Sequence, residues 1–523
     1  MSHIPFTKRV LLASLPILSV SCLWADTTFV NPIYASQDPW IIKGPDGFYY
    51  SVTETPGTKS VDIYKSKSLT DRGARRTAYK ADPSGPRSSG LWAPELHYVD
   101  GGWYIYTCSD DGDNVNHRAI VLKSDTNDPF GPYSYAATLE TGAWAIDATV
   151  FKADDGKLYC VWSGWPDGAA PDSTQRLFIS EMSSPTKLTG KIADISGKML
   201  PWETAGRPGG LNEGPQVLQK DGKIFVIYSA SGSWTPDYCF GQLTYSGGDI
   251  LDAKNWVKSE KPVFSRAGNV YGPGHGSFTK SPDGKEDWMV YHSSIDANGS
   301  WNRSISAKKF TWNADGTPNF GTPVQWGESL TMPSGEQANK PGTAFKEDFS
   351  GNDDHWQKFN FVREQAITLQ DGALDIDATK DDRFGDKALV RDADYSNFEL
   401  ESDIKILKGA VDGDLIFRVK EPAIGIDSFK GYVAAINVNG YIELGRSDGR
   451  KFTSLSKVDL PVNKDQSYRL KVIADGDHIQ VYVDGEKKID LADSTYSNGQ
   501  VGVRAVTSNV RFDNFEVRPL AAQ

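Results

Sequence analysis

Five short apolar runs recur along roughly the first 300 residues, and each follows a turn rich in glycine or acidic residues. The first large apolar residues of these runs are Phe48, Trp103, Leu158, Phe225 and Trp288, which repeat every 55 to 67 residues. Short apolar runs between tight turns predict β-strands, and a repeat of this length is typical of the blades of a β-propeller. The pattern therefore predicts an all-β fold that begins with a five-bladed β-propeller over residues 26–331.

A polar residue precedes each apolar run by 8 to 13 residues. In chain order these residues are Asp38, Glu95, Asp147, Glu213 and His275. The innermost strand of every blade lines the central channel of a propeller, so residues that are distant in sequence can meet at its mouth. An isolated aspartate more often serves only a turn or a strand end. The shared spacing nevertheless favours the convergence of three carboxylates on one small substrate.

The pattern changes after residue 331. Residues 332–344 are rich in proline, glycine and polar residues, which predicts a linker. From residue 345 onwards the strands alternate apolar and polar positions, as in residues 398–406 and 468–474. Such alternation gives a sheet one packed face and one face in water. We therefore predict a second domain, a β-sandwich, over residues 345–523.

Composition supports the division into two domains and excludes some classes of binding partner. A chain of 523 residues is too long for a single hydrophobic core. Its 50 glycines and 28 prolines suit an all-β protein with many turns. The formal net charge of −12 argues against nucleic acid and anionic membranes as partners, because both require a basic surface. We expect a neutral substrate, while the oligomeric state stays open.

The first 25 residues have the order of a secretory signal peptide, with a basic pair before a short apolar stretch. This predicts a secreted protein, either extracellular or periplasmic. Residues 19–22 also resemble a lipoprotein cleavage site, so a lipid-anchored form is the less favoured alternative. Cleavage would leave Cys108, Cys160 and Cys239, an odd number that suits buried core thiols better than a disulfide framework.

Residues 29–328 resemble glycoside hydrolase family 43, whose members are five-bladed propellers that act on polysaccharides containing arabinose or xylose. The resemblance rests on five motifs in the family's order, at residues 31–40 (NPIYASQDPW), 92–97 (WAPELH), 146–151 (IDATVF), 212–217 (NEGPQV) and 272–275 (GPGH). The second domain is similar to the concanavalin-like, jelly-roll sandwiches of secreted sugar hydrolases, on weaker motifs. It could bind carbohydrate or serve only as a packing module.

An inverting glycosidase needs two carboxyl groups in opposite protonation states. One carboxylate deprotonates a water molecule while a carboxylic acid protonates the leaving oxygen, with the two groups about 6.5–9.5 Å apart. The resemblance implies that Asp38 is the general base and Glu213 the general acid. It also implies that Asp147 raises the pKa of the acid and orients it. Burial or a nearby negative charge must raise the pKa of Glu213 to keep it protonated near neutral pH.

The resemblance implies further roles around these carboxyl groups. Arg303 would enter the sugar pocket, unless it lies on the surface. Independently of the resemblance, the aromatic face of Trp92 could stack on the apolar side of a sugar ring, unless Trp92 is a core residue. In many family members the histidine equivalent to His275 reaches a central, hydrated calcium ion; its alternative role is that of a hydrogen-bonded core residue. The resemblance gives Glu95 no proton-transfer role, and we expect it to be a structural or positioning group. No cofactor is expected to be required for the reaction.

Residues 213–234, 251–264 and 270–293 look most like the exo-acting α-L-arabinofuranosidases that trim α-1,5-arabinan. The implied substrates are arabinan and arabinoxylan of the plant cell wall. Gly276 stands where that subfamily usually has asparagine, so a β-xylosidase or an endo-arabinanase remains an alternative. A fructan hydrolase is disfavoured because the sequence around Asp38 lacks the motif of those enzymes. A non-catalytic glycan-binding protein is disfavoured because all three carboxylates are intact.

Overall fold

The computed structural model of the protein describes residues 28–54, 59–360, 366–379 and 385–520. The predicted signal peptide, residues 1–25, lies outside these ranges. Across the described ranges, no helix has the length and apolar character needed to cross a membrane. The helices found there are single 3-10 turns, which span Asn114–Asn116, Pro201–Glu203 and Ala253–Asn255.

The first domain is a ring of five antiparallel sheets. Two short strands precede the first blade: β1 (Thr28–Val30) and β2 (Tyr34–Ala35). Blade one contains β3 (Gln37–Lys43), β4 (Tyr49–Glu54), β5 (Ser60–Ser66) and β6 (Ala74–Lys80). Blade two contains β7 (Glu95–Val99), β8 (Gly102–Ser109), β9 (Arg118–Ser124) and β10 (Tyr133–Thr138). Blade three contains β11 (Ala145–Lys152), β12 (Leu158–Gly164), β13 (Arg176–Ser184) and β14 (Lys187–Asp194).

The remaining blades follow the same plan. Blade four contains β15 (Asn212–Lys220), β16 (Lys223–Ala230), β17 (Cys239–Tyr245) and β18 (Trp256–Lys258). Blade five contains β19 (Tyr271–Lys280), β20 (Asp287–Ser294) and β21 (Arg303–Trp312). Two short strands end the domain: β22 (Pro318–Asn319) and β23 (Ser329–Thr331).

The ring is closed by the start of the chain. Blade five takes its fourth strand from β2, which pairs with β21 through Tyr34 opposite Ile305. The neighbouring β1 pairs with β23, so both ends of the domain are joined. The predicted five-bladed propeller is confirmed, and the five apolar runs are the second strands of the blades, β4, β8, β12, β16 and β20.

The second strands are mostly apolar because neighbouring blades cover both of their faces. Val52, Ile105, Val161, Ile227 and Val290 of these strands are fully buried. The innermost strands, β3, β7, β11, β15 and β19, lie next to one another around the channel. The fold therefore brings the start of every inner strand to one end of the ring.

The second domain is a β-sandwich, as predicted. Its strands are β24 (Lys340–Pro341), β25 (Phe345–Glu347), β26 (Trp356–Phe359), β27 (Ile367–Gln370), β28 (Ala373–Asp377), β29 (Asp386–Val390), β30 (Ala393–Asp394), β31 (Phe398–Lys420), β32 (Lys430–Asn437), β33 (Tyr441–Asp448), β34 (Phe452–Asp459), β35 (Ser467–Asp475), β36 (His478–Val483), β37 (Glu486–Ala492) and β38 (Gln500–Pro519). The long strands β31 and β38 pair along much of their length. Alternate residues of β35, from Tyr468 to Ala474, are buried in the core.

The segment predicted as a linker, residues 332–344, is packed against both domains. Its Glu336 carboxylate accepts hydrogen bonds from the Leu69 N–H at 2.8 Å and the Ser68 hydroxyl at 2.9 Å in the propeller. Farther along, β24 pairs with β30 of the sandwich. Within this predicted linker, Glu336 supplies the hydrogen bonds to the propeller, and the chain passes from one domain to the other between residues 337 and 340.

Candidate active site

The inner strands share a distortion at the channel mouth. In β3, β11, β15 and β19 the pairing register slips and leaves an extra residue as a β-bulge. The residues there have positive φ angles: 47° at Asp38, 55° at Asp147, 52° at Gly214 and 42° at His275. Ala93, just before β7, has the equivalent value of 40°. Residues other than glycine rarely adopt this backbone conformation, and backbone strain of this kind is found most often at functional sites.

Glu213 stands one residue before the bulge of blade four. In blade two the same place, before Ala93, is held by Trp92. Glu95 lies two residues after Ala93, and its Oε1 accepts a hydrogen bond from Gln216, which holds the equivalent place in blade four. The five polar residues singled out by their spacing are therefore not structural equivalents, because Glu95 lies in a buried contact between two blades.

Asp38 is surrounded by basic side chains. Its Oδ1 lies 3.1 Å from His275 Nδ1, 3.1 Å from His292 Nδ1 and 3.8 Å from Arg303 Nη1. The Asp38 N–H donates to His292 Nδ1, and burial lowers the pKa of His292 to about 3, so that ring is neutral. Burial acts to raise the pKa of Asp38, but the charges of His275 and Arg303 hold it well below its usual range. Asp38 is therefore ionised.

Glu213 has the opposite tendency. Its Oε1 accepts a hydrogen bond from the Tyr238 hydroxyl at 2.8 Å, and its Oε2 accepts one from the Gln175 amide at 3.1 Å. Burial raises the pKa of Glu213, and the charge of Asp38 adds to that rise. The Tyr238 hydrogen bond and the charge of His275 oppose the rise without cancelling it. The environment therefore favours a protonated Glu213 beside an ionised Asp38.

Asp147 and His275 complete the cluster. The Asp147 Oδ2 accepts a hydrogen bond from the Gly214 N–H at 2.9 Å. Burial, together with the charges of Glu213 and Asp38, raises the pKa of Asp147 to about 7. Burial acts to lower the pKa of His275, but the surrounding carboxylates outweigh it and raise that pKa above its ordinary value. The structure thus brings Asp38, Asp147, Glu213 and His275 into one buried group.

The sequence reasoning missed three residues that contact this group, namely Tyr238, His292 and Gln175. Tyr238 stacks on the His292 ring, with centroids 5.5 Å apart and planes 13° apart, and so connects the surroundings of Asp38 to those of Glu213. Gln175 donates a hydrogen bond to Glu213. His292 could have been found, because it is a polar residue within the apolar run of β20. Gln175 and Tyr238 immediately precede their strands, and no motif marks them.

The two predicted sugar-contacting residues flank the cluster. Trp92 is half-buried, and its ring lies 3.9 Å from that of His117. It packs against a group that includes Trp144 and Trp165, so it is both part of an aromatic core and partly open to solvent. Arg303 is only 6% exposed, and its Nη2 donates to a backbone carbonyl at 3.1 Å. Arg303 therefore lines the site rather than the outer surface.

The donor set around His275 does not suit a directly bound calcium ion. Calcium takes six to eight oxygen ligands, whereas His275 offers nitrogen, its Nδ1 faces Asp38, and its pKa is raised. Within the part of the chain that the structure describes, no three His, Cys, Asp or Glu side chains are spaced to hold a metal ion. These residues fit an ion pair with Asp38, and the predicted calcium remains a prediction.

Comparisons with known families cover most of the chain. The model of a family described as "Glycosyl hydrolases family 43" matches residues 29–318. A second model, described as "3-keto-alpha-glucoside-1,2-lyase-like domain", matches residues 339–518. The two matches follow the division into propeller and sandwich, and all members of the buried cluster lie within the first.

Individual relatives match the propeller half. The chain is 38% identical over 313 residues to an extracellular exo-α-(1→5)-L-arabinofuranosidase of Streptomyces avermitilis, with 57% of this chain and 64% of that enzyme covered. It is 36% identical over 275 residues to an enzyme of the same name from Streptomyces chartreusis, with 50% and 82% covered. The crystal structure of an α-L-arabinofuranosidase from Lactobacillus brevis superposes with a TM-score of 0.53 at 35% identity, over 57% of this chain and 98% of that one. The chain thus spans just under two thirds of the length of the Streptomyces avermitilis relative.

Proposed function

Since the chain belongs to glycosyl hydrolase family 43, we propose that it removes terminal α-L-arabinofuranosyl residues from arabinan and arabinoxylan-type polysaccharides and oligosaccharides, with inversion of configuration. One observation carries the proposal: two largely buried carboxyl groups at the same channel mouth have pKa values displaced in opposite directions. That of Asp38 is lowered and that of Glu213 is raised. Pairs of this kind divide the roles of base and acid between them.

The chemistry follows from these protonation states. Asp38 takes a proton from a water molecule, which attacks the anomeric carbon from the side opposite the glycosidic bond. Glu213 gives its proton to the leaving oxygen as the bond between that oxygen and the anomeric carbon breaks. The product sugar therefore has the inverted anomeric configuration. Asp38 ends protonated and Glu213 ionised, and proton exchange with solvent restores both.

The neighbouring residues support these two groups. Asp147 fixes the backbone beside Glu213, and His275 and Arg303 hold Asp38 in its ionised form. Trp92, whose ring is partly open to solvent, offers an apolar face to the sugar. No step in this scheme requires a metal ion, so we propose that any bound calcium is structural and takes no part in the reaction.

The choice of substrate rests on the relatives. Two of them are named exo-α-(1→5)-L-arabinofuranosidases, and the Lactobacillus brevis enzyme is named an α-L-arabinofuranosidase. Both of the first two are named extracellular, which supports our proposal that this protein acts outside the cytoplasm on plant cell-wall polysaccharide. A glycan-binding protein without activity would have no need of two carboxyl groups with opposed pKa values.

The proposal is tested by following hydrolysis with proton NMR. The purified protein is mixed with 4-nitrophenyl α-L-arabinofuranoside, with linear arabinan and with the corresponding β-D-xyloside. We expect free arabinose from the first two substrates, appearing first as the β-anomer, and no short oligosaccharides from arabinan. Release of xylose alone or of oligosaccharides would identify a xylosidase or an endo-acting enzyme instead. Initial α-anomer would mean a covalent intermediate and a retaining mechanism.

A further inference from the structure

Two tryptophans form an exposed aromatic surface beside the active site. Trp301 lies in the loop between β20 and β21 and is 60% exposed. Trp234 lies in the loop between β16 and β17 and is half-buried. Their ring centroids are 5.9 Å apart with planes 29° apart, so the rings are stacked. We call this pair the tryptophan platform.

The platform is joined directly to the catalytic cluster. The guanidinium carbon of Arg303 lies 4.6 Å from the centroid of the Trp301 ring. The same guanidinium donates to the Ser233 carbonyl at 3.1 Å, next to Trp234, and approaches Asp38 Oδ1 at 3.8 Å. One arginine therefore contacts the platform on one side and the base on the other. Because β16 and β20 end opposite the starts of β15 and β19, both loops lie at the channel mouth.

A solvent-exposed tryptophan ring, such as that of Trp301, is unusual at this position. Among the described residues, Trp301 is the one tryptophan with such exposure. Its ring face is apolar and electron-rich, which suits the apolar C–H face of a sugar ring. Exposed aromatic side chains beside a concave polar site commonly mark a binding surface. The Arg207 guanidinium lies 5.8 Å from the Trp234 ring and donates to Asp172 Oδ1 at 3.1 Å, so it supports the platform from beside it.

We propose that the tryptophan platform binds the second sugar of the substrate, the arabinofuranosyl residue on the leaving-group side of the scissile bond. This rests on the proposed function, in which the terminal sugar sits between Asp38 and Glu213. Both carboxyl groups are largely buried, so a sugar on the exposed Trp301 ring lies outside that pocket. An exo-acting enzyme has no sugar beyond the terminal one on the other side, which leaves the leaving-group side. The platform therefore selects arabinofuranosyl oligosaccharides over single sugars.

Calorimetry on the full-length Glu213→Gln protein tests the proposal without turnover. We expect Trp301→Ala to weaken the binding of arabinotriose about tenfold, the loss of one aromatic contact, and to change the binding of arabinose less than about twofold. Trp301→Phe should restore part of the loss, and Trp234→Ala should act in the same direction. The matched control is Tyr98→Ala, because Tyr98 is 55% exposed and lies on β7 near its end away from the mouth. That control should bind both sugars like its parent.

The outcomes separate this proposal from the one on which it rests. Equal weakening of both sugars by Trp301→Ala, or no weakening of either, would overturn the platform while leaving the proposed function intact. If the wild-type protein releases no arabinose from arabinotriose and the parent variant binds neither sugar, the proposed function fails and the ligand assigned to the platform fails with it. Circular dichroism of each variant establishes that the fold is preserved.

Discussion

Asp147 on blade three holds the backbone next to Glu213 on blade four, because its Oδ2 accepts the Gly214 N–H at 2.9 Å. Both partners of this hydrogen bond sit at the bulge positions of their strands, with φ angles of 55° and 52°. The bond therefore links two strained segments across a blade boundary. A shift of either segment would move the carboxyl group of Glu213 relative to Asp38.

Asp147→Ala should reduce turnover about 100-fold, the cost of a displacement of about 1 Å in a catalytic group. Asp147→Asn should lose much less below pH 7, because its amide oxygen can still accept the Gly214 N–H and its neutral side chain resembles a carboxyl group whose pKa is raised to about 7. Initial rates on an aryl arabinofuranoside between pH 4 and 8 measure both variants. A substrate with a better leaving group should partly rescue Asp147→Ala. Equal losses in the two variants would contradict the positioning role.

Asp38→Asn and Glu213→Gln should each reduce turnover on arabino-oligosaccharides by at least ~100-fold, the lower range of general acid–base contributions. A dinitrophenyl arabinofuranoside should partly rescue Glu213→Gln, because its leaving group departs without protonation. The same substrate should leave Asp38→Asn inactive, since water still has to be deprotonated. Rescue of both variants to the same extent would remove the assignment of base and acid.

Tyr238→Phe should move the alkaline limb of the kcat/KM profile to higher pH. The Tyr238 hydroxyl donates to Glu213 and lowers a pKa that burial raises, so losing the hydroxyl lets the pKa of Glu213 rise further. The acid then keeps its proton to higher pH before activity is lost. Tyr159→Phe is the matched control, because that hydroxyl donates to Asp155 at 2.9 Å, away from the site. A limb that stays in place or moves to lower pH would exclude Glu213 as the group that sets it.

Chelation should leave the turnover of the enzyme unchanged. His275 faces Asp38 at 3.1 Å, and neighbouring carboxylates raise its pKa, which leaves a cation beside the base rather than a metal ligand. Rates on an aryl arabinofuranoside are measured before and after dialysis against EDTA, with magnesium or calcium then restored. A loss of rate that calcium alone reverses would contradict this prediction and support the calcium that the family resemblance implies. A lower melting temperature with an unchanged rate would assign calcium a structural role only.

The sequence was most informative for residues that have a fixed role at a fixed position within a short motif. Asp38, Asp147 and Glu213 lie in short motifs, and the period of the apolar runs put those motifs on separate blades. The uneven spacing of Glu95 has its explanation only in three dimensions, because the residue with the equivalent positive φ angle in blade two is Ala93, and Glu95 comes two residues later. Bulges depend on the pairing of strands and on strain that no local pattern records.

Residues that reach the site from loops or strand ends could not be predicted from the sequence. Tyr238 and Gln175 reach Glu213 from segments just before two strands, and loop conformation depends on tertiary contacts rather than on composition. Likewise, the polar composition of residues 332–344 predicted a linker, but it did not show that Glu336 binds the propeller. Composition shows which residues can be exposed to solvent, but it does not show which of them form hydrogen bonds with the rest of the protein.

The contacts between the two domains that involve described residues are mostly polar. Asp71 of the propeller forms an ion pair with Arg391 of the sandwich. The Glu421 carboxylate of the sandwich accepts hydrogen bonds from the Thr28 hydroxyl at 2.5 Å and the Ser329 hydroxyl at 2.7 Å. A small apolar contact joins Ile424 to the propeller. None of these residues belongs to the catalytic cluster.

A propeller of residues 26–337 should therefore keep its turnover on an aryl arabinofuranoside within about threefold of the full-length value, since inter-domain contacts of this polar kind can be separated. The boundary keeps Glu336 on Ser68 and Leu69 and removes β24, which pairs with the sandwich. If the sandwich binds polysaccharide, activity on long arabinan should fall more than activity on the aryl substrate, because the local substrate concentration is lost. Rates on both substrates are compared with those of the full-length protein, with circular dichroism and melting temperature as controls for folding. Loss of aryl-glycoside turnover in a folded propeller would show that the sandwich contributes to the active site, and an aggregated propeller would show that the two domains are one folding unit.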